Sequence, residues 1–145
     1  MSIHRIVLDA NILVAAARSS SGASFALLQA LRQGRFVALA SVPLMLEYEA
    51  VLNRPEHLLA GGRSLASTGA FLDALCLLIE PVKLHYLWRP QTRDPNDEMV
   101  LETALNGRAD ALITLNINAF SVAKHFSLPV LTLGVFLRQL QQEKI

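Results

Sequence analysis

Four carboxylates recur at equivalent places along the chain, each near the start of a helix: Asp9, Glu47, Asp94 and Asp97. Asp9 stands in Ile6-Val7-Leu8-Asp9-Ala10-Asn11, where an apolar run hands over to a helix. In an open α/β sheet this is the carboxyl edge, where ligands bind. A carboxylate there is poorly placed to fill a core and well placed to hold a cation. Glu47 falls one turn into a helix opened by Ser41 and Pro43, with Leu44, Val51 and Leu52 on its buried side and Glu49 directed away. The alternative for this pair is two solvated glutamates on an exposed helix face.

The segment Arg93-Asp94-Pro95-Asn96-Asp97-Glu98 is denser. Asp94 before Pro95 is a helix cap by residue type, and Asp97 sits where a capping box would carry Glu. Capping alone would account for about 1 kcal/mol. A cap needs one acid, however, and three acids crowd this helix start, where repulsion favours a bound cation. Asp97 is therefore expected to ligate a metal, and Asp94 to cap the helix while adding its charge. Asn11 and Thr114-Leu115-Asn116 place polar groups at two strand ends, suited to orienting carboxylates or a water. Their simpler readings are a helix cap for Asn11 and a turn residue for Asn116.

The elements that must position these groups alternate between short strands and longer helices. Strands are expected at Ile3–Leu8, Phe36–Ala40, near Val82–Leu84, at Ala111–Thr114 and at Val130–Leu131. Helices are expected through Phe25–Leu31, from Pro43 to about Asn53, over Leu65–Ile79, from Asp94-Pro95 to Asn106-Gly107, through Phe120–His125 and over Gly134–Gln142. Glu56–Ser64, with Gly61-Gly62, reads as a loop, and a connection runs through Trp88, Pro90 and Arg93. Such alternation implies right-handed crossovers and a parallel sheet covered on both faces.

The 145 residues suffice for one domain spanning 1–145, and 52% apolar content argues against disorder. No apolar run is long enough to cross a bilayer, so a soluble, cytoplasmic protein is expected. The single cysteine, Cys76, excludes an internal disulfide and reads as core filler. Thirteen basic and twelve acidic side chains give a net charge of +1. If the four acids converge on a metal, the remaining surface is basic by roughly five charges, which suits phosphate backbones. Ten of the thirteen bases are arginine, the better bidentate phosphate ligand. The helices Leu65–Ile79 and Phe25–Leu31 carry enough apolar side chains to predict an interface, and with it a homodimer, a higher oligomer or a protein partner.

Several α/β enzymes fit less well. A haloacid-dehalogenase-type phosphatase needs a second Asp where Asn11 stands. A dinucleotide-binding fold needs a glycine-rich turn that Asp9-Ala10-Asn11 lacks. A phospho-receiver domain would carry paired acids after its first strand.

The ordered set Val7-Leu8-Asp9-Ala10-Asn11, the helix Val42–Leu52 with Glu47, Arg93-Asp94-Pro95-Asn96-Asp97 and Ala109-Asp110-Ala111-Leu112-Ile113-Thr114-Leu115-Asn116 resembles the PIN domain, and the match continues through Pro129-Val130-Leu131-Thr132. Ser21-Gly22-Ala23-Ser24-Phe25 and His85-Tyr86-Leu87-Trp88-Arg89-Pro90 resemble, more narrowly, bacterial VapC-like toxin components of toxin–antitoxin pairs. The resemblance implies a three-layer α/β/α sandwich with a central, mostly parallel sheet. It also implies a Mg²⁺- or Mn²⁺-dependent ribonuclease, with Asp9, Glu47 and Asp97 as metal ligands, an RNA substrate and a cognate antitoxin. Three positions depart from the family pattern. Ala10 replaces a common Thr or Ser, Asn116 stands where a fourth acid is often found, and Ala119 where relatives frequently carry Asp. The competing expectation is a catalytically weak PIN-like module that binds RNA or protein: Asn116 and Ala119 favour it, and the intact Asp9, Glu47 and Asp97 oppose it.

Overall fold

The computed structural model describes residues 4–18, 21–62, 64–86, 91–92 and 94–143. Strand β1 (His4–Leu8) passes through Asp9 into helix α1 (Ala10–Arg18), followed by α2 (Ala23–Arg32) and β2 (Phe36–Ala40). Helices α3 (Val42–Leu52), α4 (Pro55–Gly61) and α5 (Leu65–Cys76) lead to β3 (Ile79–Pro81). Then come α6 (Pro95–Asn106), β4 (Ala111–Ile113), a 3₁₀ helix (Ile117–Phe126), β5 (Val130–Leu131) and α7 (Leu133–Gln142).

The five strands are ordered β3-β2-β1-β4-β5 and every pairing is parallel. Ile6, Val7 and Leu8 are buried in succession, as a central strand covered on both faces requires. The two covering layers can be read from β2. Phe36 meets Phe136 of α7 edge-on, with ring centroids 5.3 Å apart. Leu39, three positions along and so on the other face, lies beside Gly107 at the end of α6. A Cβ on Gly107 would come within 2.9 Å of Val82 Cγ2 and 3.0 Å of the Thr103 carbonyl oxygen, so close approach demands glycine there. The architecture is the expected three-layer α/β/α sandwich.

From β1 the chain first builds β2 and β3 on one side, then crosses to β4 and β5 on the other. The sheet therefore has a switch point between β1 and β4, the place where such folds leave a crevice at the carboxyl ends of the strands. Local chemistry sets the helices around it. Ser41 Oγ accepts from Leu44 N to cap α3 and also bonds Thr103 Oγ1 at 2.7 Å, tying α3 to α6. Thr132 caps α7 through Val135 N.

The sequence expectations shift at three elements. Residues 56–61 are helical rather than a loop: Pro55, at the first helical position, opens α4, which closes at Gly62 in the left-handed conformation. Helix α5 ends at Cys76 rather than Ile79, because Ile79 pairs with Ala38 as the start of β3, so this strand precedes the expected Val82–Leu84. Cys76 is exposed rather than core filler, since α5 buries Thr68, Leu72 and Leu75 and the next position rotates off that stripe. Leu27, Leu28 and Leu31 of α2 enter the core, so the exposed apolar surface of this region comes from Leu65, Leu77 and Leu78. Ile3 and the connection through Trp88, Pro90 and Arg93 lie outside the described residues. Among the described residues no helix is long and apolar enough to cross a membrane.

Candidate active site

Asp9 leaves β1 at the switch point, and its backbone N–H still donates to Ile113 O of β4 at 2.9 Å. Its side chain is held across the same gap, where Thr114 Oγ1 donates to Asp9 Oδ2 at 2.7 Å. Thr114 in turn accepts from Asn116 N at 3.0 Å and from Asn11 Nδ2 at 3.4 Å. Asn11 Oδ1 accepts from Leu115 N at 3.4 Å. The side chains of Asn11 and Thr114, with the backbone N–H of Asn116, thus tie the Asp9 carboxylate to the ends of two adjacent strands.

Asp9, Glu47, Asp94 and Asp97 all line one open cleft of about 280 Å³, with Asn11, Asn96 and Asn116. Glu47 reaches it from the second turn of α3, whose buried Leu44, Tyr48, Val51 and Leu52 point the other way or line its floor. Glu49 is exposed and absent from the lining, as expected. Tyr48, fully buried, donates its hydroxyl to the Leu8 carbonyl and locks α3 against the end of β1. Burial raises its pKa, and the nearby Asp9 charge adds to that.

At the start of α6 the acids divide. Asp94 caps the helix by accepting from Asn96 N at 2.9 Å, one residue short of a capping-box geometry. Asp97 is therefore free of that role and faces the cleft. Glu98, expected to crowd the same cluster, is instead buried. Its Oε1 accepts from Gln91 N at 2.6 Å and Thr92 N at 2.9 Å, while its Oε2 has no partner among the described residues. It steadies the segment before α6.

The electrostatics are those of like charges held together. Burial raises the pKa of Asp9; the Thr114 hydroxyl and the Ala10 N–H oppose that shift, and Asp94 adds to it. Burial also raises Glu47, with Arg54 opposing and Asp94 and Asp9 reinforcing. Asp97 is pushed up to about 6, by burial first and then by Asp9, Asp94, Glu47 and Glu98. The multiply anionic, oxygen-bearing end of this cleft has the donor chemistry of a hard divalent cation such as Mg²⁺ or Mn²⁺. Among the described residues no three His, Cys, Asp or Glu side chains stand close enough together to hold a metal ion between them. Mg²⁺ sites commonly use one or two direct carboxylates and keep several waters, so the residues fit such an ion.

A second cleft of about 630 Å³ continues from the first through Asp94, Asp97, Asn116 and Ala119. Its remaining lining is hydrogen-bonding and mostly neutral: Gln91, Thr92, Asn118 and Ser121, with Val122. Ala10 and Ala119 both reach the acidic cleft, so the departures at these positions lie at the site and contribute only methyl groups. Sequence reasoning missed Arg54 and His57, which line the far end of the acidic cleft. The signal was present in Pro55, which marks a helix start between them.

A parallel five-stranded sheet with strand order β3-β2-β1-β4-β5, carrying carboxylates at its switch point, defines an α/β protein with an acidic cleft at its carboxyl edge. The chain belongs to the PIN-domain family, whose model matches residues 5–118. PIN domains are typically nucleases and generally use divalent metal ions. Among solved structures, VapBC2 from Rickettsia felis, bound to a DNA fragment from its promoter, matches with a TM-score of 0.64 at 16% identity. That match covers 88% of this chain and 98% of the other. VapBC-1 from nontypeable Haemophilus influenzae matches with a TM-score of 0.59 at 14% identity, covering 90% of this chain and 98% of the other. No curated protein matches in sequence.

Proposed function

We propose that this protein is a metal-dependent endoribonuclease and the toxin of a toxin–antitoxin pair. The observation that carries the reading is the set of Asp9, Glu47, Asp94 and Asp97 in one cleft, with Asp97 pushed up to about 6 by burial first and by the neighbouring carboxylates second. Asp9, Glu47 and Asp97 would hold Mg²⁺ or Mn²⁺, and Asp94 caps α6 while adding negative charge. A divalent ion bound there supplies Lewis-acid activation of water and neutralises charge on the transferring phosphoryl group.

The chain's own residues prepare that chemistry. Thr114 and the Ala10 N–H hold the Asp9 carboxylate in one orientation and favour its ionised form. Asn11 and Asn116 fix Thr114, and their amides stand at the cleft as hydrogen-bonding groups for substrate or water. Water attacks phosphorus in line as the P–O3′ bond breaks. Its hydroxyl stays on phosphorus and its proton goes to the leaving oxygen, giving 5′-phosphate and 3′-hydroxyl ends. Beyond Asp94 and Asp97 the second cleft is neutral and hydrogen-bonding, which suits base edges and sugar hydroxyls of a single strand.

An antitoxin partner is supported by the fold shared with the VapBC structures. The exposed Leu65, Leu77 and Leu78 give it, or a second copy, an apolar surface. The rival reading, a binding module with weak catalysis, draws on Asn116 and Ala119.

The test compares cleavage of single-stranded RNA by wild type and Asp9→Asn, with Mg²⁺ or Mn²⁺ and with chelator. The expected result is cleavage by wild type only with metal, and a loss of at least about 100-fold in Asp9→Asn, the scale of removing one preorganised electrostatic group. Equal cleavage by both proteins in chelator would sink the metal mechanism. Tight RNA binding without cleavage would favour the rival.

A further inference from the structure

The acidic cleft is not acidic throughout. Helix α1 begins beside Asp9 and Asn11, presents Val14 one turn on and ends at Arg18. Helix α3, packed against α1, repeats that order with Glu47, then Val51, and Arg54 just beyond its end. Both helices thus run from carboxylate through valine toward an arginine, with Arg54 lining the cleft and Arg18 reaching it through His57. At about 1.5 Å of rise per residue, Glu47 and Arg54 are separated by roughly 10 Å of chain axis.

The basic end is also organised. Arg18 Nη2 lies 3.2 Å from His57 Nδ1. A guanidinium can only donate, so Nδ1 accepts and Nε2 is left as the ring's donor. His57 lines the cleft beside Arg54. Among the described residues Arg54 forms no ion pair within 4 Å; the pairs found are His4–Glu143 and Arg5–Glu80, on the opposite side of the sheet. Arg54 acts on Glu47 only at longer range. A guanidinium at a cleft wall, without a close ion pair and beside a histidine that itself contacts a second guanidinium, is suited to an incoming anion.

We propose that Arg54, Arg18 and His57 form a phosphate-binding subsite for the nucleic-acid strand whose scissile phosphate sits at the carboxylates. The proposal rests on the ribonuclease reading and deepens it by giving the strand a direction of travel, along the valine floor between α1 and α3. Arg54 makes the direct contact, and Arg18 supplies charge while orienting His57 to donate through Nε2.

The experiment measures binding of a short single-stranded RNA in chelator over a range of salt concentrations, alongside cleavage in Mn²⁺. Proteins are wild type, Arg54→Gln, Arg54→Lys, Arg18→Gln and, as a control on α7, Arg138→Gln, each checked for unchanged thermal unfolding. Arg54→Gln and Arg18→Gln are expected to weaken binding several-fold and to flatten log K against log salt by about 0.7 each, the value per phosphate for single strands. Arg54→Lys should keep most of the slope, and Arg138→Gln all of it. Wild-type affinity and slope in Arg54→Gln, or no RNA binding by wild type at low salt, overturns the subsite. If the arginines carry the slope but Mn²⁺ yields no cleavage, the subsite stands and the ribonuclease reading falls. If cleavage needs Mn²⁺ while both arginine variants bind like wild type, the reverse holds.

Discussion

The two edges of the sheet treat charge in opposite ways. At the amino edge opposite charges are joined. Arg5 N donates to Asp110 Oδ2 at 2.8 Å and Asp110 N donates to Arg5 O at 2.7 Å. The Arg5 side chain reaches Glu80 at 2.6 Å and the Gly107 carbonyl at 3.2 Å. His4 meets Glu143 at 2.6 Å, and Arg35 donates to Leu140 O at the end of α7. At the carboxyl edge like charges are gathered, and burial and mutual repulsion raise Asp9, Glu47 and Asp97 together. A fold that neutralises one edge is able to neutralise the other. Under the proposed function a ligand, rather than the chain itself, completes the charge balance at the carboxyl edge.

The comparison breaks most visibly at its two best-anchored residues. Arg5→Ala removes a partly exposed ion pair and a hydrogen bond to Gly107, and should cost about 1–2 kcal/mol of stability. Cleavage per folded molecule should stay unchanged, measured as denaturant midpoint against activity. Loss of activity without loss of stability would show that the amino edge is not merely structural. Thr114→Val should do the converse. It keeps shape and burial but removes the hydroxyl that steadies ionised Asp9. Metal affinity should fall about tenfold, since a hydrogen bond to a charged group contributes about 1.5 kcal/mol or more. Calorimetric titration with Mn²⁺ reads it, and unchanged affinity would remove Asp9 from the ligand set.

Much of this contrast was legible in the sequence where local signals are strong. Phe36–Ala40 reads as a buried strand by its apolar run, and Ser41 with Pro43 announces α3, which is why Glu47 was found. Asp94-Pro95 announces α6 equally well. The edge strand β3 is only Ile79-Glu80-Pro81, half exposed and without alternation, so periodicity placed it too late. Helix α4 is short, polar at its start and followed by Gly62, so it read as a loop, and Arg54 and His57 went unnoticed with it. Glu98 could not be told from Asp97 by position. One is buried under the Gln91 and Thr92 amides and the other faces the cleft, a distinction that depends on contacts from outside the helix.

A smaller effect sharpens the account at its weakest acid position. Asn116 lies at the junction of both clefts and is exposed. Asn116→Asp adds a charge where solvent screens it, so Mn²⁺ should bind only about two- to fivefold more tightly, within the range of up to about 1 kcal/mol for exposed charges. Unchanged or weaker binding would place Asn116 outside the cation's reach.

The most direct test of the central claim is the order of stability of wild type and Asp97→Asn with and without metal. An acid whose folded pKa is raised to about 6 from 3.8 contributes stability that is fully present below the unfolded value. That contribution is lost as pH rises through about 6. At mildly alkaline pH wild type therefore carries a cost that Asn avoids, about 1–2 kcal/mol after allowing for partial exposure. Thermal unfolding in chelator should show Asp97→Asn more stable than wild type, with the gap closing in acid. Saturating Mn²⁺ should reverse the order, because a ligand at a hundredfold its Kd adds about 2.7 kcal/mol to the protein that binds it. A variant less stable than wild type in chelator, with Mn²⁺ raising both equally, would contradict the account.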